Sequence, residues 1–171
     1  MDIENGDNRW FSRRPEEGEE AQWLKESSQP NRKFKFQARQ GRKCKMHKGS
    51  CNCGAVSFTV EGDLAPPDAC HCSQCRKQSG HYWASTDVPD DRITIHGEDN
   101  ITWYQASEKV RRGFCKTCGC FLFWDPIHHP RIAVAMGAFD GATGAKLGSH
   151  IYVADKGGYY EIADGLPQNE Q

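Results

Sequence analysis

The sequence has no apolar run near 18 residues, and its first residues lack the apolar segment of a signal peptide. It also has no heptad pattern, no internal repeat and no long stretch of helical periodicity. These absences argue against a membrane span, an exported chain, a coiled coil and a repeat array. We therefore expect one domain of ordinary size in a reducing compartment, the cytoplasm.

What the chain has in excess is cysteine, with nine among 171 residues. A secreted disulfide scaffold is one interpretation of so many thiols. Pairs spaced as CxC and CxxC fit poorly into disulfides, however, and are typical of thiolates that bind a metal. Seven of the nine fall in three short groups, which are Cys51 and Cys53, then Cys70, Cys72 and Cys75, then Cys115 and Cys118.

The net charge of −1 conceals an uneven distribution. Residues 32–48 carry eight Lys and Arg and no acid, whereas ten Lys and Arg face fifteen Asp and Glu from Gly49 onward. Residues 1–45 are polar and hold no period of 2 or 3.6, so we predict a poorly ordered basic tail with Cys44 as a bystander thiol. The tail could bind a polyanion such as nucleic acid, but a solvated tail is the preferred interpretation. Residues 46–171 are predicted to form the ordered domain.

The ordered part favours short strands separated by turns rich in Gly, Pro and Asp. In the first of them Val56, Phe58 and Val60 alternate with small or polar residues and are expected to face the core. Such strands predict a mostly β domain of short antiparallel sheets, in which a structural metal adds the stability that a thin core lacks. The candidate strands are 55–60, 81–88, 92–96, 101–106, 109–114, 121–124, 132–136 and 150–154, with one helical turn over 76–79.

A CxxC pair followed by Gly is the usual turn around structural zinc, because Gly can adopt a positive φ that lets backbone N–H groups face sulfur. Cys115 and Cys118 fit this pattern but supply only two of four ligands. Cys51 and Cys53, also followed by Gly, supply two more. We therefore predict a closed four-thiolate site that joins two distant parts of the chain, with Cys120 as a rival ligand.

Cys70, Cys72 and Cys75 remain, and they describe a metal site with three thiolates and an open fourth position. An open position distinguishes catalytic zinc from structural zinc. The alternative is that a protein side chain closes the site, with Cys120, His71, His81 or another histidine as the candidates. Three thiolates weaken zinc as a Lewis acid, so we expect a soft fourth ligand, above all a thiol, in preference to activated water.

Three segments resemble the glutathione-dependent formaldehyde-activating enzyme family, which includes centromere protein V. The C-terminal residues 150–152, 155–156 and 164–167 are similar to the tail of that family, so that the resemblance covers about residues 49–167. The three segments are Gly49-Ser50-Cys51-Asn52-Cys53-Gly54-Ala55-Val56, Cys70-His71-Cys72-Ser73-Gln74-Cys75-Arg76-Lys77 and Phe114-Cys115-Lys116-Thr117-Cys118-Gly119.

The resemblance implies a β-tent of small sheets with two zinc ions per chain. It implies structural zinc on Cys51, Cys53, Cys115 and Cys118, and catalytic zinc on Cys70, Cys72 and Cys75. It also implies carbon–sulfur lyase chemistry that joins formaldehyde to glutathione. The partner would then be a small molecule, with neither membrane nor nucleic acid involved, and a homo-oligomer is compatible with the sequence.

Other functions stay open at this point. One is epimerisation of an amino-acid-like dicarboxylate on the same zinc, for which the sequence names no base. Another is a non-enzymatic zinc module that binds protein or nucleic acid. For an enzyme, we expect Arg76 to bind a substrate carboxylate. His71 is a candidate proton shuttle, and the aromatic residues Tyr82, Trp83 and Trp124 are candidates for the pocket wall or the core.

Overall fold

The computed structural model describes residues 45–171. The predictions for the basic tail and for Cys44 therefore lie outside the described residues, apart from Lys45. Within the described residues, no helix combines the length and the apolar character that crossing a membrane requires.

Short strands dominate the described residues, as the turn-rich sequence predicts, and a single short α-helix (α1, Ser73–Ser79) interrupts them. Four 3-10 turns connect strands, at Asp90–Arg92, Glu98–Asn100, Met136–Ala138 and Val153–Asp155. The strands are β1 Met46–Ser50, β2 Ser57–Glu61, β3 Asp68–Cys70, β4 Trp83–Pro89, β5 Ile93–His96, β6 Ile101–Ser107, β7 Val110–Cys115, β8 Phe121–Pro126, β9 Arg131–Ala135 and β10 Ser149–Ile151.

The strands form two sheets, a small one in the order β1-β2-β5 and a larger one in the order β10-β3-β4-β9-β8-β7-β6. Every pair is antiparallel except β10 with β3, which is parallel. This confirms the predicted fold class. The parallel pair was not predicted, and it brings the C-terminal strand against the strand that ends at Cys70.

The core lies where inward-facing side chains of the two sheets meet. Val56, Phe58 and Val60 are 0–1% exposed, as their alternation predicts. The Phe58 ring packs edge-on against Phe123 of the large sheet at 5.8 Å and against Phe139 at 5.2 Å. Edge-to-face packing at these distances is favourable for aromatic rings and ties the small sheet to the large one.

Two local predictions differ from the structure. The strand predicted from Ala55 begins only at Ser57, and residues 51–56 form a turn. The helix begins at Ser73, three residues before the predicted turn, because the Cys72 side chain caps it by accepting from the backbone N–H of Cys75. Both differences involve cysteine side chains that bind backbone N–H groups, which hydrophobic periodicity does not register.

A substitution at Gly49 can test how closely β1 approaches the core. A Cβ atom at this position would lie well inside van der Waals contact of the Phe58 ring and of the Ala138 carbonyl oxygen. We expect Gly49→Ala to lower the free energy of unfolding by about 1–3 kcal/mol, since overpacking forces backbone shifts. Urea unfolding at fixed zinc concentration measures the loss. Gly137→Ala, where a Cβ meets nothing within 4 Å, is the control, and equal stability of both variants would contradict the prediction.

Candidate metal centres and active site

The four cysteines predicted for the closed site converge. Cys51 and Cys53 lie in the turn between β1 and β2, Cys115 ends β7, and Cys118 lies in the turn before β8. Their Sγ atoms all lie within 4.8 Å of one another. The sulfur–sulfur distance is 3.5 Å between Cys51 and Cys53, and 3.7 Å between Cys53 and Cys115. Four sulfurs at about 2.3 Å from a zinc ion in a tetrahedron would be about 3.8 Å apart, so this cluster fits the ion.

Backbone geometry supports negative charge on these sulfurs. Gly119 adopts a positive φ of 72°, as the CxxC-Gly pattern predicts, and Gly54 after the CxC pair adopts one of 76°. The Val56 N–H points at the Cys51 Sγ at 3.3 Å. The backbone N–H of Cys118 is the main cause that lowers the pKa of Cys115 to about 6. N–H groups that face sulfur stabilise thiolate and hence the form that binds metal.

The second cluster comprises Cys70, Cys72 and Cys75, whose Sγ atoms also lie within 4.8 Å of one another. Cys70 ends β3, Cys72 caps helix α1, and Cys75 lies in the first turn of that helix. A strand end and a helix start thus bring three thiols together within six residues. The three sulfurs fit one soft ion such as zinc and leave its fourth position without a cysteine.

None of the side chains that could have closed this cluster belongs to it. Cys120 does not join it. Charge interactions link Cys120 to Cys51, Cys115 and Cys118, and burial raises its pKa. The His81 Nδ1 atom is hydrogen-bonded to the Tyr159 hydroxyl at 2.9 Å. Among residues 45–171, no further His, Cys, Asp or Glu belongs to the cluster.

His71 lies between two of the cluster cysteines but directs its ring away from them. Its Nδ1 atom is hydrogen-bonded to the Tyr160 hydroxyl, and its Nε2 atom lies 2.8 Å from the His150 Nδ1. The His150 Nε2 atom lies 2.8 Å from the Asp164 Oδ2. Burial is the main cause that lowers the His71 pKa, which favours the neutral ring.

Every ring nitrogen of His71 and His150 has a partner in this chain of bonds. An ionised Asp164 only accepts, so His150 donates to it from Nε2. Both ring nitrogens of His71 are therefore occupied, and neither is available to a metal.

Arg112 is a site residue that sequence reasoning missed. Its side chain is 4% exposed, and its Nη1 atom lies 3.5 Å from the Cys75 Sγ and 3.0 Å from the Gln78 Oε1. A divalent ion on three thiolates has a formal charge of −1, which this buried guanidinium balances. Nothing distinguishes Arg112 from Arg111 in the sequence, because only the sheet register decides which one faces helix α1.

The structure separates the aromatic residues predicted for the pocket. Trp83 is the register partner of Cys70, so both lie on the same face of the large sheet. Tyr82 packs against His71, with ring centroids 5.2 Å apart. Trp124 contacts the Arg131 guanidinium at 5.4 Å. Burial is the main cause that raises the pKa of the Tyr160 hydroxyl, and the nearby charge of Arg76 on α1 partly offsets the rise.

A family profile and several known proteins match this chain. The profile described as "Glutathione-dependent formaldehyde-activating enzyme" matches residues 46–155. A Halomonas elongata protein named "Putative glutathione-dependent formaldehyde-activating enzyme" is 33% identical over 96 residues, which span 48% of this chain and 61% of that protein. A Schizosaccharomyces pombe protein named as an uncharacterized lyase is 23% identical over 124 residues, which span 69% of this chain and 86% of that protein.

A crystal structure of a Rhodobacter sphaeroides protein is 27% identical, with a TM-score of 0.48, and the match covers 56% of this chain and 89% of that one. This structural likeness is too low to support the assignment by itself. The family profile, in contrast, spans well over half of the chain. The chain belongs to the glutathione-dependent formaldehyde-activating enzyme family.

Two single substitutions distinguish the clusters. We expect wild-type protein to bind two zinc ions per chain, and Cys115→Ser and Cys72→Ser to bind one each. Cys115→Ser should also lower the thermal unfolding midpoint sharply, because the four-cysteine cluster joins two turns far apart in sequence. Cys72→Ser should keep a midpoint within a few degrees of wild type. Metal analysis with circular dichroism measures both effects, and a larger loss of stability in Cys72→Ser would reverse the assignment.

Metal binding to the three-cysteine cluster should depend on pH. A hydrogen bond with Cys72 raises the pKa of Cys70, and the same bond lowers the pKa of Cys72. Without metal at pH 7, Cys70 therefore keeps its proton, and zinc must displace it. We expect zinc affinity to fall as the pH is lowered from 8 to 6, with at least one proton released per ion.

Calorimetry in two buffers of different ionisation enthalpy measures this proton release. Cys72→Ser is the control, since it removes the cluster but keeps the four-cysteine site. A pH-independent affinity of the wild-type protein over this range would contradict the prediction.

Proposed function

We propose that this chain is a zinc-dependent carbon–sulfur lyase that joins a small thiol, with glutathione as the candidate, to formaldehyde, and splits the adduct in reverse. Membership of the family supports the reaction class. The observation that carries the proposal is the three-cysteine cluster, because no fourth side chain of residues 45–171 joins it. Free thiols at all eight described cysteines support a reducing compartment, the cytoplasm.

Cys70, Cys72 and Cys75 would hold the catalytic zinc, and Cys51, Cys53, Cys115 and Cys118 the structural one. When bound to the three cysteines, zinc would supply a position for a soft ligand and favour the thiolate form of a thiol. Arg112 adds a buried positive charge beside Cys75, which limits the negative charge that an incoming thiolate meets.

The reaction forms one bond and moves one proton. The thiol loses its proton, its sulfur bonds to the formaldehyde carbon, and the π electrons of the carbonyl move to oxygen, which takes up a proton. Arg76 is proposed to bind a carboxylate of the thiol, since its Nε is a buried donor without an acceptor. This contact would orient the sulfur and raise its effective concentration near the carbonyl carbon.

Exchange spectroscopy tests the proposal. Thiol and formaldehyde combine spontaneously, so the quantity to measure is the exchange rate between free and thiol-bound ¹³C-formaldehyde by NMR. We expect zinc-loaded wild-type protein to raise this rate in proportion to its concentration, and Cys72→Ser to reduce the increase at least 100-fold, since the ion is lost with its ligand.

Cys120→Ser is the matched control, because it removes a thiol outside both clusters and should keep the wild-type rate. Arg76→Lys should raise KM for glutathione about 10-fold with little change for a thiol without carboxylates, because lysine cannot form the bidentate pair. A wild-type protein that binds zinc and thiol but leaves the exchange rate unchanged would overturn the lyase proposal.

A further inference from the structure

Two buried N–H groups on the cysteine side of the large sheet have no acceptor among the described residues. They are the Trp83 Nε1 and the Arg112 Nε. Their residues are only 7% and 4% exposed. Folded proteins rarely leave such donors unpaired, and those that exist call for an explanation such as a bound group. A ligand that supplies a hydrogen-bond acceptor would explain both unpaired donors, provided that the two donors lie at one site.

The residues that carry these two donors both pack against one aromatic ring, that of Phe121. Trp83 stacks on Phe121, with ring centroids 4.5 Å apart and planes at 28°. The Arg112 guanidinium carbon lies 5.7 Å from the centroid of the same Phe121 ring. At one end Trp83 pairs in register with Cys70, and at the other Arg112 reaches the Cys75 Sγ at 3.5 Å. Both donor residues therefore neighbour residues of the three-cysteine cluster, Trp83 through Cys70 and Arg112 through Cys75.

Both donors are held in place before any ligand binds. Gln78 on α1 accepts from the Arg112 Nη1 at 3.0 Å, while the buried Nε–H of the same guanidinium has no acceptor. Stacking on Phe121 fixes the Trp83 indole. Donors that are already oriented among apolar groups stabilise charge better than water does, because they need no reorganisation when the charge develops.

We propose that the Trp83 indole N–H and the Arg112 Nε–H form an oxyanion site for the substrate oxygen beside the Cys70, Cys72 and Cys75 cluster. This inference rests on the proposed function. As the thiol sulfur bonds to the formaldehyde carbon, the carbonyl π pair becomes a charge on oxygen, and the two N–H groups stabilise it. That oxygen then takes up one proton, which balances the proton that the thiol lost. In reverse, deprotonation restores the carbonyl and the C–S bond breaks.

Paired thiol probes test this site on the zinc-loaded full chain. The compounds 2-mercaptoethanol and 1-propanethiol differ only in a terminal hydroxyl against a methyl group. The hydroxyl oxygen can accept from the two donors, so calorimetry measures their effect as the ratio of the two affinities. We expect Trp83→Phe and Arg112→Lys each to lower that ratio about 3- to 10-fold. In the exchange assay, kcat should fall about 100-fold in each variant while KM for thiol stays within twofold.

Trp103→Phe is the matched control. Trp103 also stacks on a phenylalanine, Phe123, with planes at 27°, but its register partner is Gly113 and not a cysteine of the cluster. We therefore expect the affinity ratio of the Trp103→Phe variant to equal that of wild type. Zinc content and the unfolding midpoint show whether each variant is folded, and Arg112→Lys carries the test if Trp83→Phe does not fold. If wild type binds both thiols and neither variant changes the ratio, the oxyanion site is wrong. If wild type binds neither thiol, the proposed function fails and the site fails with it.

Discussion

Repulsion between closely spaced thiolates is the constraint on which this structure depends. Sulfurs 3.5–3.7 Å apart cannot all be ionised unless a cation lies among them. In the four-cysteine cluster, the turn that carries Cys53 meets the end of β7 at Cys115, 62 positions away in sequence. Metal binding there therefore stabilises a long-range contact that the short strands and the thin core support only weakly.

The three-cysteine cluster meets the same constraint in a different way. It has one sulfur fewer, and the buried Arg112 guanidinium lies beside Cys75. His71, which sequence proximity makes an obvious ligand, instead joins Tyr160, His150 and the C-terminal Asp164 in one line of hydrogen bonds. Because both of its ring nitrogens are used in that line, His71 does not belong to the three-cysteine cluster.

Local patterns in the sequence predict much of this arrangement. Cysteine spacing gives both clusters, Gly after CxxC gives the positive-φ turns, and the alternation at Val56, Phe58 and Val60 gives the core face. These local patterns do not show which strands pair when the strands are far apart in the sequence. The parallel contact of β10 with β3, which brings His150 to His71, depends on the whole topology. The choice of Arg112 over Arg111 as the buried cation depends on the β7–β8 register, which includes an irregularity at Gly113.

The most direct test of the central claim is X-ray absorption at the zinc edge with the selenol analogue of glutathione as the guest. Cys115→Ser protein, which keeps only the three-cysteine ion, gives one zinc environment to interpret. An open position predicts three sulfur neighbours before addition and one zinc–selenium distance of about 2.4 Å afterwards, slightly longer than a zinc–sulfur bond. A spectrum with four protein ligands and no selenium neighbour at saturating selenol would contradict the account.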